Sequence, residues 1–334
     1  MSVKRIDLSV VALGALALLL TLALAFVFMN ILNQSEEHIQ NVRKTNVSYT
    51  EAMQFRSATN ECDRMVKEKL KREPTATVCR LARLDISDTS MSCIGKMQSL
   101  QSLDLSESTI DDRSLRHIEH LPLHDLNLFG TNISDRGVQH IAKIKTLRSL
   151  NIGATQISDE AIEQLSSLVD LEVFRFCATK ITDKGFQSLA RLRNIRQLDV
   201  SDIPVSEKSF RLIGSLPKLE SIDLGGVKVT ARDIEDLRSA PCLRHIILFR
   251  SELNDAELHA LSELKGVRTL QLSRNPFTNN GVAYLGKMTN LINVSMLECP
   301  NVSPGAVAQL KKRIPGCQIE HSTERLLPKL FRDR

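Results

Sequence analysis

The sequence contains few of the residues and motifs that usually mark chemistry. Its 334 residues include no Trp and only two Tyr, and aromatic residues make up 4% of the chain. It has no phosphate-binding loop, nucleophile elbow, zinc-binding H-E-x-x-H helix or protein-kinase motif set. We therefore expect neither an enzyme nor a bound cofactor. Basic residues form no recurring groove and aromatic residues are scarce, which argues against nucleic-acid binding.

Cysteines and histidines are present, but not in patterns that indicate a metal or redox site. No two of the seven cysteines are spaced as C-x-x-C. If the domain is exported, Cys62, Cys79 and Cys93 are close enough in sequence for one disulfide. Most of the other four should be reduced and buried as small apolar residues: Cys177, Cys242, Cys299 and Cys317.

A histidine cluster has a spacing that superficially resembles a metal site. His117, His120 and His124 form H-x-x-H-x-x-x-H, but two of them would lie on a helix and the third at the start of a strand. Beyond Glu119, the cluster has no partner carboxylate at a fixed geometry. We interpret the cluster as surface histidines and predict no metal site.

The dominant feature of the sequence is a repeat of 24 residues that begins at Leu123. The phrase apolar-x-x-apolar-x-apolar is opened in turn by Leu123, Leu147, Leu171, Ile195, Leu219, Leu243, Val267 and Leu291. A fixed period of this length is typical of a solenoid, in which each unit buries its apolar face only against its neighbours.

Each unit combines two kinds of periodicity. Its first part alternates as a short strand does, so Leu126 and Leu128 should point inward and Asn127 outward. A helix should then begin at an N-cap residue followed by Asp, as at Ser134 and Asp135, where the Asp would satisfy free backbone N–H groups. We place the first unit at residues 81–99, about five residues short and without a Ser-Asp cap, as is usual for terminal units.

The phrase T-x-I-[ST]-D-x-G-apolar at Thr131–Val138 and Thr179–Phe186 resembles the leucine-rich repeat family. It is similar to the helix-bearing subclass, which includes ribonuclease-inhibitor-like, cysteine-containing and planctomycete-type bacterial repeats. The ending at residues 314–321 looks like the closing strand of such arrays. The resemblance covers residues 78–320 and implies an α/β leucine-rich repeat solenoid of about nine to ten repeats. It would be a right-handed horseshoe with a concave parallel sheet and convex helices.

The N-terminal segment differs from the repeats. An apolar run over residues 8–32 is long enough to cross a bilayer as a helix, with residues 1–7 before it. A cleaved signal peptide is the alternative, since Ala23-Leu24-Ala25 mimics a cleavage site. Lys4 and Arg5 favour a cytoplasmic N-terminus and an extracytoplasmic repeat domain, periplasmic or on the cell surface.

Two polar segments flank the predicted repeat domain. Residues 33–77 should form a helical juxtamembrane stalk, either solvated or mediating self-association. Residues 321–334 form a basic C-terminal tail, which either lies on an anionic surface or caps the last repeat in solvent.

The concave face of the predicted sheet is where we expect a partner to bind. The central outward position should be occupied, strand by strand, by Asp85, Asp104, Asn127, Asn151, Arg175, Asp199, Asp223, Ile247, Gln271 and Ser295. This frame places Asp85 beside Asp104 and Asp199 beside Asp223. Like charges on adjacent strands are destabilising. These pairs could therefore bind a basic partner or a cation, unless water and nearby arginines screen their charge.

Aromatic and arginine side chains are expected beside this row. Phe129 and Phe249 should point outward where their strands end, with Arg250 and Arg274 nearby. Such side chains dominate binding hot spots, although a Phe here could instead only cover the sheet. The sequence thus predicts a membrane-anchored protein that binds a protein or surface ligand. A structural envelope protein acting by self-association is the alternative.

Overall fold

The computed structural model describes residues 59–322. Residues 8–32, where we expect the membrane span, lie outside the described residues, as do most of the predicted stalk and residues 323–334 of the tail. Within residues 59–322, no helix has the length and apolar character needed to cross a bilayer.

Eleven parallel strands form one sheet in strict sequence order. Each strand is only three or four residues long and pairs with the strand of the next unit. They are β1 (Val78–Arg80), β2 (Ser102–Asp104), β3 (Asp125–Asn127), β4 (Ser149–Asn151), β5 (Val173–Arg175), β6 (Gln197–Asp199), β7 (Ser221–Asp223), β8 (His245–Ile247), β9 (Thr269–Gln271), β10 (Asn293–Met296) and β11 (Gln318–His321).

Helices connect the strands and pack against the helices of neighbouring units. They are α1 (Thr59–Arg72), α2 (Asp88–Ile94), α3 (Asp135–Ile141), α4 (Asp159–Leu165), α5 (Asp183–Leu189), α6 (Glu207–Gly214), α7 (Ala231–Asp236), α8 (Asp255–Ser262), α9 (Asn279–Leu285) and α10 (Pro304–Arg313). Two short 3-10 helices lie at Ser114–His117 and Leu237–Ser239. The solenoid of parallel strands and connecting helices is the predicted α/β architecture.

The repeated apolar positions form a single core between the sheet and the helices. Leu126 and Leu128 are buried as predicted, and the strand residue between them, Asn127, is partly exposed. One unit fills the same space with aromatic rings, because Phe174 and Phe176 lie 4.8 Å apart, centroid to centroid. The alternation of inward Leu and outward polar residues therefore sets the orientation of every strand.

The prediction for the first unit was wrong. β1 pairs Cys79 with Leu103 and Arg80 with Asp104, so the unit begins before residue 81 and is not short. Its phrase is Ala76, Cys79 and Leu81, in which small residues replace two leucines and weaken the pattern. Ser87 is also a helix N-cap and Asp88 follows it, so this unit does have a Ser-Asp cap.

The described part of the predicted stalk is a helix that packs on the first repeat. Val66 of α1 is only 3% exposed and joins the core, and Asp63 accepts hydrogen bonds from the hydroxyls of Ser87 and Ser90 on α2. The chain divides into compact units between Ser57 and Ala58. Helix α1 therefore covers the open end of the core, where the array has no preceding unit.

The helix N-termini are joined from unit to unit by aspartates. Six carboxylates bind the N-cap residue of the following unit rather than capping their own helix, which corrects the role we expected for them. Asp135, for example, accepts hydrogen bonds from the backbone N–H and the hydroxyl of Ser158, at 2.7 and 2.6 Å. These bracing aspartates are Asp63, Asp112, Asp135, Asp159, Asp183 and Asp255.

A small residue makes room for each of these carboxylates. A Cβ atom added at Gly281 would lie 2.5 Å from Oδ1 of Asp255, and one at Gly185 would lie 2.8 Å from Oδ1 of Asp159. The Gly of the repeat motif therefore allows close approach of the preceding unit, and two units without it carry Ala161 or Ser209 at this position. Where Glu207 and Ala231 replace the bracing Asp, the next helix forms its own capping box with an acid three residues after its cap, Asp233 or Glu257.

Among the described residues, Cys93, Cys177, Cys242, Cys299 and Cys317 form no disulfide. Cys79 and Cys93 are both buried, and the side chain of Cys62 lies outside the described residues. Cys177, Cys299 and Cys317 are buried and Cys242 is partly exposed, which confirms the expectation for most of the later cysteines.

Candidate functional site

The outward side chains of the strands form a continuous row across the sheet. The parallel registers place Asp104, Asn127, Asn151 and Arg175 on successive strands, followed by Asp199, Asp223, Ile247, Gln271 and Ser295. From Asp104 onward the strand registers follow the predicted row, and its members Gln271 and Ser295 are buried. Asp85 does not belong to it, because Arg80 is the partner of Asp104. Asp85 instead follows the strand, where it accepts a hydrogen bond from Thr109 at 2.7 Å.

Two carboxylates meet in the middle of this row, since Asp199 and Asp223 are register partners on β6 and β7. Burial and the negative charge of Asp199 raise the pKa of Asp223 well above its usual range. The backbone N–H of Gly225 donates to Asp223 at 2.9 Å, and Arg175 lies near enough to oppose the shift. Asp199 accepts hydrogen bonds from the backbone N–H and the hydroxyl of Ser201. This pair concentrates negative charge on a largely polar sheet.

A second row follows the strands, in which the backbone is left-handed. Residues at this position include Arg83, Glu107, Ala154, Arg250 and Arg274, with φ between 51° and 62°. The conformation directs each backbone N–H to a carbonyl of the next unit, as from Ala154 to Cys177 at 2.8 Å. This row therefore extends the inter-strand ladder by one hydrogen bond beyond the strands.

Charged side chains of the left-handed row pair with one another. Arg274 and Glu298 form two hydrogen bonds at 2.7 and 2.9 Å. Arg250 reaches across a whole unit to Asp202, with 2.7 Å between Nη2 and Oδ1. Gly226 lies between them, and a Cβ atom there would come within 2.1 Å of Asp202. Arg250 and Arg274 are thus already engaged by carboxylates of the array.

The two phenylalanines have different environments. Phe129 is only 9% exposed and lies against Gly153 of the next unit, which favours the alternative that it covers the sheet. Gly153 has no side chain, and the ring fills the space that this leaves. Phe249 is partly exposed, and the Arg274 guanidinium lies 5.0 Å from its ring centroid, close enough for a cation–π interaction. Phe249 and Arg274 are therefore brought together, as the sequence suggested.

A third row, which the sequence analysis missed, precedes the strands. We call it the strand-start row: Arg148, Glu172, Arg196, Glu220, Arg244 and Arg268. Arg148 and Glu172 are 3.0 Å apart, and Arg196 is 3.5 Å from Glu172 and also bonds Glu220. The alternation of charge at the 24-residue period was the available signal, but these residues lie just outside the apolar phrase.

The histidines of the metal-like spacing have separate partners. His117 lies 2.8 Å from Asp88, and His120 contacts the carbonyl of Gly95 at 3.0 Å. Within residues 59–322, no group of three or more His, Cys, Asp or Glu side chains is placed to hold a metal ion.

Comparison with known proteins concerns the repeat unit and the fold. Residues 120–142 match a family model described as "Leucine Rich repeat". No curated protein gives a match. An internalin (inlF) from Listeria monocytogenes str. 4b F2365 is 15% identical over 79% of this chain and 94% of the internalin, with a TM-score of 0.46. TLR13, from the structure of a TLR13-ssRNA13 complex, is 19% identical over 71% of this chain and 37% of TLR13, with a TM-score of 0.49.

The matched residues contain strand β3, the Ser134 cap and helix α3. The same order of strand, cap and helix recurs along the eleven-stranded parallel sheet. The chain therefore has the fold of a leucine-rich repeat protein.

Proposed function

We propose that this protein binds a basic segment of a protein partner through the outward face of its sheet. Leucine-rich repeats generally serve as binding scaffolds, because the stacked strands present a broad surface of variable side chains. The observation that carries the proposal is the adjacent carboxylate pair of Asp199 and Asp223. Holding two like charges on adjacent strands opposes folding, and a cationic side chain between them would relieve that repulsion.

Neighbouring residues support this placement. Phe249 is partly exposed beside Arg274, close to the strands that hold the carboxylates. An aromatic ring beside a charged group suits a contact that buries both, and such residues are common in binding hot spots. Arg175 is also on this face and would orient an incoming segment by repelling its positive charge.

The binding test compares the full-length protein with the double variant Asp199→Asn, Asp223→Asn in a neutral detergent. The variant keeps side-chain hydrogen-bond acceptors but removes both charges, so it should fold at least as stably while losing the partner. The measurement is quantitative mass spectrometry of proteins captured from cell extracts. Glu163→Gln, at an exposed position of α4, is the control for the loss of a carboxylate elsewhere on the surface.

Three results would be informative. A protein that is enriched by the wild type and by Glu163→Gln, but lost with the double variant, supports the proposal. Equal capture of that protein by all three contradicts it. Cross-links from the chain only to itself would favour the structural alternative, self-association through residues 33–77.

We also propose that residues 8–32 anchor the protein as a single-pass helix, with the repeat domain outside the cytoplasm. The length of the apolar run and the preceding Lys4 and Arg5 support this topology. A reporter that is active only outside the cytoplasm, fused after Arg334, should be active in intact cells. Activity only of a cytoplasmic reporter fused at the same position would contradict the proposed orientation.

A further inference from the structure

The charge pattern of the strand-start row changes at its C-terminal end. From Arg148 to Glu220 its charges alternate, so every arginine has a carboxylate on an adjacent unit. The next two positions are both arginines, Arg244 and Arg268. They lie on consecutive units, since the backbone N–H of Arg268 donates to the carbonyl of Arg244 at 2.8 Å. Two positive charges are therefore adjacent, and Arg268 stands where the alternation would place a carboxylate.

The two guanidinium groups are not neutralised within the described structure. No carboxylate of residues 59–322 lies within ion-pair distance of either. Arg244 donates instead to the carbonyls of Pro241 and Leu243, at 3.3 and 2.9 Å. These bonds use one of its terminal nitrogens and leave other donors available, because a guanidinium carries five N–H groups. Arg268 is exposed to solvent.

The absence of a side chain at Gly266 leaves room for the Arg244 guanidinium. Gly266 lies against Arg244, and a Cβ atom added there would come within 2.7 Å of its Nη1. Next along the row is Ile292, an exposed apolar side chain (37%). The same edge thus offers two cations followed by an apolar contact.

We infer that Arg244 and Arg268 bind a carboxylate side chain from an acidic segment of a protein partner. Glu172 shows the arrangement within this molecule, since its carboxylate lies between Arg148 and Arg196. Arg244 and Arg268 lie on consecutive units with no row position between them, so a partner carboxylate would bridge the two guanidinium groups from the solvent side. Ile292 would contact an apolar residue next to it. This inference does not depend on the proposed binding at Asp199 and Asp223.

The test uses the full-length protein in neutral detergent and a fluorescent hexapeptide of alternating Glu and Leu. The matched peptide replaces Glu with Gln. Arg244→Gln and Arg268→Gln should each weaken binding of the Glu peptide about fivefold, which corresponds to about 1 kcal/mol. Arg268→Glu should abolish binding, because it supplies the missing carboxylate internally. Arg148→Gln is the control, since that arginine lies on the same edge but already has a partner.

A second readout locates the peptide. Burial lowers the pKa of His245, the opposing effect of Glu220 raises it, and Arg268 and Arg244 lower it further. A carboxylate bound between the arginines would offset their charge and raise the pKa of His245. An NMR titration with and without the Glu peptide measures this shift, which binding elsewhere would not produce.

The outcomes separate this site from the one proposed above. Selective loss of Glu-peptide binding in the Arg244 and Arg268 variants, with the His245 shift, supports the inference. Equal weakening by Arg148→Gln, or equal binding of the Gln peptide, overturns it. The Asp199→Asn, Asp223→Asn variant should bind the Glu peptide no less tightly than the wild type, so failure of either proposal is recognised independently.

Discussion

Single residues of this array adopt a backbone conformation that their side chains disfavour. Arg83, Ala178 and Arg274 have positive φ at the position where Gly130 and Gly226 also occur. A left-handed conformation costs about 1–2 kcal/mol for a residue with a Cβ atom. The inter-unit hydrogen bond from each backbone N–H offsets part of that cost. Because Arg, Glu and Ala give no turn signal, this row could not be predicted from residue type.

Asp223 should lower the stability of the protein at neutral pH. Its raised folded pKa means that the folded state holds the proton more tightly than the unfolded chain, whose value is near 3.8. Ionisation therefore opposes folding, and stability falls as pH rises from that value through the folded pKa. We expect Asp223→Asn to be about 1 kcal/mol more stable at neutral pH, measured by urea unfolding. Below the unfolded pKa, the two proteins should unfold alike.

Asp183 is the control, because its carboxylate should affect stability in the opposite direction. Hydrogen bonds from Ser209 and Ser206 lower the pKa of its carboxyl. Its stabilisation is therefore present above the unfolded value of 3.8 and is lost as pH falls through the folded pKa. Asp183→Asn should be less stable than the wild type at neutral pH. If both Asn variants change stability in the same direction, the electrostatic explanation for Asp223 is wrong.

At the scale of the element, a helix N-terminus is held in one of two ways. Most units rely on the aspartate of the preceding unit and carry a small residue where its carboxylate enters. The units capped by Thr230 and Asn254 use an acid of their own. The two arrangements exclude each other, since a second carboxylate would occupy the same space beside the helix.

This difference predicts unequal effects of substitution at one repeat position. Asp135→Ala should destabilise the protein by about 2 kcal/mol, because Ser158 loses two hydrogen bonds to a charged group. Glu207→Ala should cost less than about 1 kcal/mol, since it removes only exposed ion pairs to Arg211 and Arg232. Chemical unfolding of both variants checks this. Equal destabilisation would show that the unit-to-unit hydrogen bonds contribute no more to the free energy of unfolding than exposed ion pairs do.

Sequence reasoning identified these helices but assigned the aspartates to the wrong partner. Asp in a first turn is commonly explained by the helix dipole, which is a local effect. The contact from Asp159 to Thr182 instead joins residues of two units, and the sequence does not say which neighbour a carboxylate meets. The Gly after the Asp was the available signal, because a close approach can require it.

At the scale of the whole molecule, the 24-residue period was sufficient to predict the sheet. It set the register from β3 to β10, because one strand per period stacks on the next, whereas β2 pairs with β3 at an offset of 23 residues and β10 with β11 at 25. It failed at β1, where Ala76 and Cys79 replace leucines. The exposure of the candidate site residues was predicted less well, since it depends on neighbouring side chains. Phe129 is buried because Gly153 leaves space beside it, and Arg250 is engaged because Gly226 lets it reach Asp202.

The two ways of capping a helix N-terminus affect how such an array can grow by gene duplication. A copied unit whose N-cap needs a preceding aspartate, such as the one capped by Ser158, fits only behind a unit that supplies one. The units capped by Thr230 and Asn254 carry their own acid and need no such donor. They fit behind a neighbour whose bracing position holds a residue other than Asp, such as Glu207 or Ala231. Recombination between repeats should therefore retain a unit only behind a neighbour that matches its way of capping the helix.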